Sequence, residues 1–336
     1  MERTLPEKSA LVIQNPVSGG AAPEQVEAAL RIALGARGVG VETFVTPQTE
    51  SVDELREAIQ NEIAEAVAGG ADLIIVAGGD GTVGMVADAI VQSGVAEDAV
   101  LGIIPLGTAN ILARELRIPL DVDGAVALLR DGWAVRSLDA IRVEGRHYFT
   151  QLGVGLDARM IMATDREDQI AHGRAAYMAA LAQSLAEHHV TRFSCQVDEM
   201  GLQLRAFQVI VANCATLGAA PFTWGPGILP DDGVLNVCVF NTRSALDTAK
   251  VVWKVLTSDH SRGALTRYYP ATERIVIRSR PPLDVQADGE IIGRTPVTID
   301  LAPGVLKVVA PLPPVTNQVL VAPTSFEVAS AQGGGS

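Results

Sequence analysis

The chain has 336 residues, enough for two domains with separate cores. Its composition, 48% hydrophobic and 19% charged, is that of a soluble globular protein, and a net charge of -13 argues against nucleic-acid binding through a general basic surface. The three cysteines, Cys195, Cys214 and Cys238, stand far apart in apolar runs; their spacing suits neither zinc nor a disulfide framework and predicts buried, reduced thiols.

Strand and helix signals alternate through the first 130 residues. "ALVIQNP" reads as a buried strand and "PEQVEAALRIALGARG" as a helix with a glycine stop. "VGVETFVT" is a second strand, followed by "SVDELREAIQNEIAEAVAGG", a helix whose Ser51 and Glu54 fit a capping box. "ADLIIVAGG" and "VLGIIPLG" are the third and fourth strands, and the helices "DGTVGMVADAIVQSG" and "TANILARELRIP" follow them. Continuous apolar strands between amphipathic helices predict a doubly wound α/β domain on a parallel sheet, expected over residues 1–132.

After Gly132 the pattern changes. Residues 133–155 and 191–240 read as β-hairpins around a long helical stretch, and "ERIVIRS", "LDVQADGE" and "TPVTIDLAPGVLKVVAP" as further strands. Residues 133–312 are therefore expected to form a second, mainly antiparallel, sandwich-like β domain. "NQVLVAP", within residues 313–323, is a candidate return to the first domain, and residues 324–336 read as a flexible tail. Glycines and prolines interrupt the uncharged stretch 206–230, so it is not read as a membrane span. The opening residues lack a signal-peptide pattern, and a cytoplasmic location is expected. Residues 241–280 are locally basic, which fits either an ordinary solvated face or a surface facing anionic lipid.

Three polar, glycine-rich turns end strands of the first domain: "NPVSGG" with Asn15, "GGDGT" with Gly78, Gly79, Asp80, Gly81 and Thr82, and "PLGTAN" with Gly107, Thr108 and Asn110. Ligands of such sheets sit beyond the carboxyl ends of the strands. Glycines admit a close backbone approach, and a helix N-terminus favours an anion. Asp80 does not suit a bare phosphate, so a bound Mg2+ or a sugar hydroxyl is its expected partner. A polyphosphate with its metal accounts for the set.

"NPVSGG", "GGDGTVG" and "PLGTANILAREL", in that order, resemble the diacylglycerol kinase catalytic domain of the soluble bacterial lipid kinases, a family that also includes sphingosine and ceramide kinases. "QLGVGLDA", "GILPDDGVL" and "QADGE" resemble its later motifs. The resemblance implies an ATP- and Mg2+-dependent kinase acting on a membrane lipid, diacylglycerol first, through transient peripheral contact with the bilayer. A homodimer stays open. It adds Thr46 and Thr108 as nucleotide contacts and makes Asp288 the general base, with Glu290 as support or metal contact. From the residues alone, Asp288-Gly289 is a hairpin turn. The resemblance also implies a structural Mg2+ held by Asp232 and the carbonyls of Leu229 and Val234, with Asp231 as the alternative carboxylate. Two positions depart from the family pattern: Gly84, where asparagine is common, and Ile111, where an acid is expected.

Three other readings fit less well. A dinucleotide fold would use Gly153, Gly155 and Ala158, but no acid-ended strand follows. NAD kinase shares "GGDGT" but not the flanking motifs, and an inactive regulator would not need Asp80 and Asp288. The histidines have no ligand-like partners in the sequence. Trp224 and Phe222 are either an interfacial anchor or a buried pair, and Tyr177, Met178 and Leu181 are candidate walls of a lipid cleft.

Overall fold

Apolar runs take the places where both faces of a sheet are covered. In the computed structural model, which describes residues 9–16, 22–49, 51–155, 190–217, 223–241, 247 and 265–312, four such runs form parallel strands. They are β1 (Ser9–Gln14), β2 (Gly40–Val45), β3 (Ala71–Gly78) and β4 (Val100–Pro105), in the order β2-β1-β3-β4. β2, GVETFV, is the exception to the apolar runs: none of its residues is fully buried, and it takes the edge. Helices α1 (Pro23–Gly35) and α5 (Val122–Asp131) pack together, as do α2 (Val52–Ala68) and α3 (Asp80–Gln92). A short α4 (Ile111–Glu115) follows β4.

Half of the expected capping box forms at α2. The Glu54 amide donates to Ser51 Oγ at 3.3 Å, but the Glu54 carboxylate accepts the Thr49 hydroxyl at 2.8 Å, and the Ser51 amide is taken by Thr49 Oγ1. A threonine two residues upstream thus supplies the acceptor that the box would have drawn from Glu54.

The second half is built from β5 (Ala134–Val143), β6 (Arg146–Tyr148), β7 (Gln151–Gly155), β8 (Thr191–Val197), β9 (Met200–Ala206), β10 (Gln208–Ala212), β11 (Leu235–Phe240), β12 (Thr266–Ala271), β13 (Arg274–Arg280), β14 (Asp284–Ala287), β15 (Glu290–Arg294) and β16 (Val297–Ala310). One antiparallel sheet runs β12-β11-β10-β7-β14-β15. The other strands extend the N-terminal sheet as β4-β16-β13-β8-β9, with β5 and β6 paired alongside. β16 joins the halves: its start pairs with β13, and Val308 pairs in parallel with Leu101 of β4. A register shift against β5 between Ala302 and Leu306, with Gly304 at φ +60°, falls between the segment paired with β13 and the one paired with β4. The chain thus reaches the first sheet through β16; residues 313–323 lie outside the described residues.

The inner faces of the two sheets pack Leu152, Val154, Phe193, Ile275, Ile277 and Val285 into one core. All three cysteines are buried and free. Trp224 is core: its ring lies 5.9 Å from that of Phe240, and its indole N–H donates to Gln151 Oε1. Phe222, Tyr177, Met178 and Leu181 lie outside the described residues.

Candidate active site

Asn15 and the turns at 78–82 and 105–110 form one rim, tied by hydrogen bonds; residues 17–21 of the first turn lie outside the described residues. Asn15 Nδ2 donates to Thr82 Oγ1 at 3.0 Å, joining the end of β1 to the second turn. A hydroxyl that accepts this bond still has its own proton to donate. The Leu106 amide donates to the Gly78 carbonyl at 2.9 Å, and a Cβ added to Gly107 would lie 2.7 Å from Gly79 Cα. Two glycines are needed here because the turns touch backbone to backbone. Thr46 is buried at the end of β2, its amide on the Gln14 carbonyl of the adjacent β1, so it borders this rim beside Asn15.

Asp80 holds the fourth-strand turn. Its Oδ2 accepts the Asn110 amide at 2.8 Å and its Oδ1 the Ile111 amide at 2.5 Å. Burial raises its pKa, and those two amides pull the other way. These are the first amides of α4, and they leave lone pairs for the metal or sugar hydroxyl expected from sequence. Ile111 contributes through its peptide N–H, so its apolar side chain does not disturb the contact. Asn110 turns inward rather than presenting a polar tip: at φ +48° its amide clasps both the N–H and the carbonyl of Gly107. Thr108 is the exposed member of the turn.

Asp288 and Gly289 form the two-residue turn between β14 and β15, with φ +45° and +91°. The turn folds the Asp288 carboxylate back onto residues 149–151. Oδ2 accepts the Phe149 amide at 2.7 Å; Oδ1 accepts the amides of Thr150 and Gln151 and the Thr150 hydroxyl. Burial pushes its pKa up, while these four donors favour the anion. The carboxylate also faces the glycine-rich rim: a Cβ added to Gly84, on the first turns of α3, would lie 3.7 Å from Oδ2. Arg56, Gly81, Gly84, Asp88, Tyr148 and Asp288 line the cleft between the halves. Burial pushes the Tyr148 hydroxyl up to about 12.

Glu290, expected to support the base, is paired with Arg56 of α2 across this cleft. Beside it, Asp88 of α3 accepts the His147 amide at 2.9 Å and faces His147 Nδ1 at 3.1 Å. Burial works to raise the Asp88 pKa, but the His147 ring and amide outweigh it and the net shift is downward. Sequence reading left His147 without a partner and did not single out Arg56 or Asp88. One signal was present: Asp88 lies four residues after Gly84, on the same helix face.

The acidic turn at 231–232 does not line that cleft. Asp231, the alternative carboxylate, is paired with Arg136 at 2.6 Å. Asp232 accepts the Val234 amide at 3.0 Å through one oxygen. Burial, Asp139 and Asp231 all raise its pKa. An anion crowded by two others suits a hard cation, and Asp232 with the carbonyls of Leu229 and Val234 would hold it. Asp139, which sequence reading missed, accepts the Gly233 amide at 2.7 Å and the Gly304 amide at 2.8 Å, fixing this turn to β16. Among the described residues, no cluster of three or more His, Cys, Asp or Glu side chains is positioned to hold a metal.

Fold and rim together define a two-domain protein in which a parallel α/β sheet presents glycine-rich turns to an acid carried by a β-sandwich. Residues 9–143 match the diacylglycerol kinase catalytic domain, and residues 150–310 match the YegS C-terminal NAD kinase beta sandwich-like domain. The chain belongs to the lipid kinase family that these two domains define.

An uncharacterized Synechocystis protein, sll0036, is 31% identical over 279 residues, covering 80% of this chain and 63% of its own length, so the match spans less than two thirds of that relative. A Mycobacterium tuberculosis protein named diacylglycerol kinase is 27% identical over 89% of this chain and 94% of its own. A crystal structure described as a diacylglycerol kinase from Bacillus anthracis shares the fold, with a TM-score of 0.72 at 24% identity over 90% of this chain and 97% of that one. Among the described residues, no helix is long and apolar enough to cross a membrane.

Proposed function

We propose that the protein is an ATP- and Mg2+-dependent lipid kinase that transfers the γ-phosphoryl group to a free hydroxyl of a membrane lipid, with diacylglycerol as the first acceptor. The observation that carries this reading is the approach of the Asp288 carboxylate to the glycine-rich first turns of α3. Helix N-termini suit phosphate, and Gly81, with open space where a Cβ would stand, leaves the backbone open to it. Mg2+ would neutralise phosphate charge there. Phosphoryl transfer asks the protein mainly for alignment, charge stabilisation and a proton acceptor.

In the step itself, the lipid hydroxyl oxygen bonds to the γ-phosphorus as the bond to ADP breaks. The hydroxyl proton passes to Asp288. The four donors on that carboxylate fix its direction, and its raised pKa makes it a better proton acceptor than an ordinary aspartate. Asp80 acts through the loop it anchors, holding Gly107 and Thr108 against the rim.

The test is incubation with labelled ATP, Mg2+ and mixed micelles, each carrying one lipid from a panel of diacylglycerol, phosphatidylglycerol and a sphingoid base. Label in phosphatidic acid is the expected result. Transfer to NAD and to no lipid would replace this reading with NAD kinase activity. Tight ATP binding with no transfer to any acceptor would make the protein a regulator.

A further inference from the structure

The solvent face of β13, β8 and β9 carries a charge pattern that folding alone does not call for. Arg280 of β13 lies directly opposite Arg192 of β8, and Arg192 lies directly opposite Arg205 of β9. Three guanidinium groups therefore share one cross-strand row, about 10 Å long at the spacing of neighbouring strands. Arg278 stands on the next row of the same face, opposite Ser194, which is itself opposite Gln203. All four arginines are exposed, while the alternate residues Phe193, Cys195 and Ile277 point into the core. Like charges directly opposite each other on a sheet are destabilising.

Neighbouring arginines are neutralised. Arg142 and Arg274 pair with Asp300, and Arg294 pairs with Asp284. Among the described residues, Arg192, Arg205, Arg278 and Arg280 have no acidic partner, in a protein whose net charge is -13. Protection of a sheet edge accounts for Arg205 on the edge strand β9, but β8 and β13 are interior strands and need no such guard. Between the arginines lie Ser194, Gln196 and Gln203, which keep the face polar.

We propose that this face is the protein's docking surface for a bilayer containing anionic phospholipid. The proposal deepens the lipid-kinase reading and rests on it for the membrane as the site of the acceptor. A flat, uncompensated cationic patch matches a plane of anionic headgroups, and each arginine near such a surface strengthens attachment. The acidic remainder of the molecule is repelled by the same surface, so attraction and repulsion together orient the protein with this face down.

The test is sedimentation of the full chain with vesicles of phosphatidylcholine alone and of phosphatidylcholine mixed equally with phosphatidylglycerol. The wild type is expected to bind the mixed vesicles only, and to be released at about 0.5 M salt, where charge interactions are screened. The combined variant R192Q, R205Q, R278Q and R280Q should lose about five-fold in partition coefficient for each arginine removed. Lysine at the same four positions should retain binding. The glutamine variant should melt no lower than the wild type, since it relieves the like-charge row.

Undiminished sedimentation of the folded glutamine variant would overturn the proposal, as would equal binding to neutral vesicles or loss of binding in the lysine variant. Capture of DNA by the wild type with no vesicle binding would reassign the face to nucleic acid. Turnover of a short-chain, water-soluble diacylglycerol should be unchanged in the glutamine variant. Charge-dependent vesicle binding without any phosphoryl transfer would support the docking face while removing the kinase reading.

Discussion

Replacing Asp288 by asparagine separates the structural from the chemical work of that carboxylate. Three donors converge on Oδ1 and one on Oδ2, so the single oxygen of the new amide should take the Oδ1 position. The NH2 group then faces the Phe149 amide, donor against donor. One unpaired, partly buried N–H and the loss of charge-assisted bonding cost about 1–3 kcal/mol. Denaturant unfolding should show a loss of that size with an unchanged m-value.

Turnover should fall much further, by about 10²- to 10⁴-fold, if the carboxylate takes the hydroxyl proton. The pH dependence has a definite sign. The pKa in the folded protein lies above the ordinary 3.8, so activity should fall as pH drops through a midpoint above that value, and the variant should lack this limb. Between 3.8 and the folded pKa, the native state binds the proton more tightly than the unfolded chain does. The wild type therefore loses stability as pH rises through that window, and its margin over the variant narrows. A folded variant with wild-type turnover would remove Asp288 from the chemistry. A margin that widens with pH would refute the account of its environment.

Two further outcomes test the rim and the cleft. Gly107→Ala places a Cβ 2.7 Å from Gly79 Cα and 2.8 Å from Asn110 Oδ1, so it should cost about 1–3 kcal/mol and weaken ATP binding; calorimetric titration at wild-type affinity would show that the two turns do not need their contact. Arg56→Gln and Glu290→Gln break the same ion pair across the cleft. A double-mutant cycle of thermal unfolding should give a coupling of about 1 kcal/mol that shrinks with added salt, and strict additivity would mean the pair contributes nothing.

The sequence made the rim legible because its signals are local. Strands buried on both faces read as unbroken apolar runs, and glycine pairs mark where the backbone must turn or approach closely. The same logic found the Asp288-Gly289 turn, since two consecutive positive φ values favour that dipeptide. It did not find what the acids hold. Asp80 binds amides thirty residues away, and Asp288 binds amides and a hydroxyl well over a hundred residues away. Most of those donors are peptide N–H groups, which every residue except proline carries, so no residue type announces them. Trp224 shows the same limit from the apolar side, because an indole in an uncharged stretch reads identically whether its N–H meets Gln151 or a bilayer interface. A carboxylate at a strand end is therefore a sound sign of an organised loop, and only the fold decides whether it organises the chain, the ligand or both. Both acids organise the chain, Asp80 through two donors and Asp288 through four, and the lone pairs left on Asp80 stay open to a ligand.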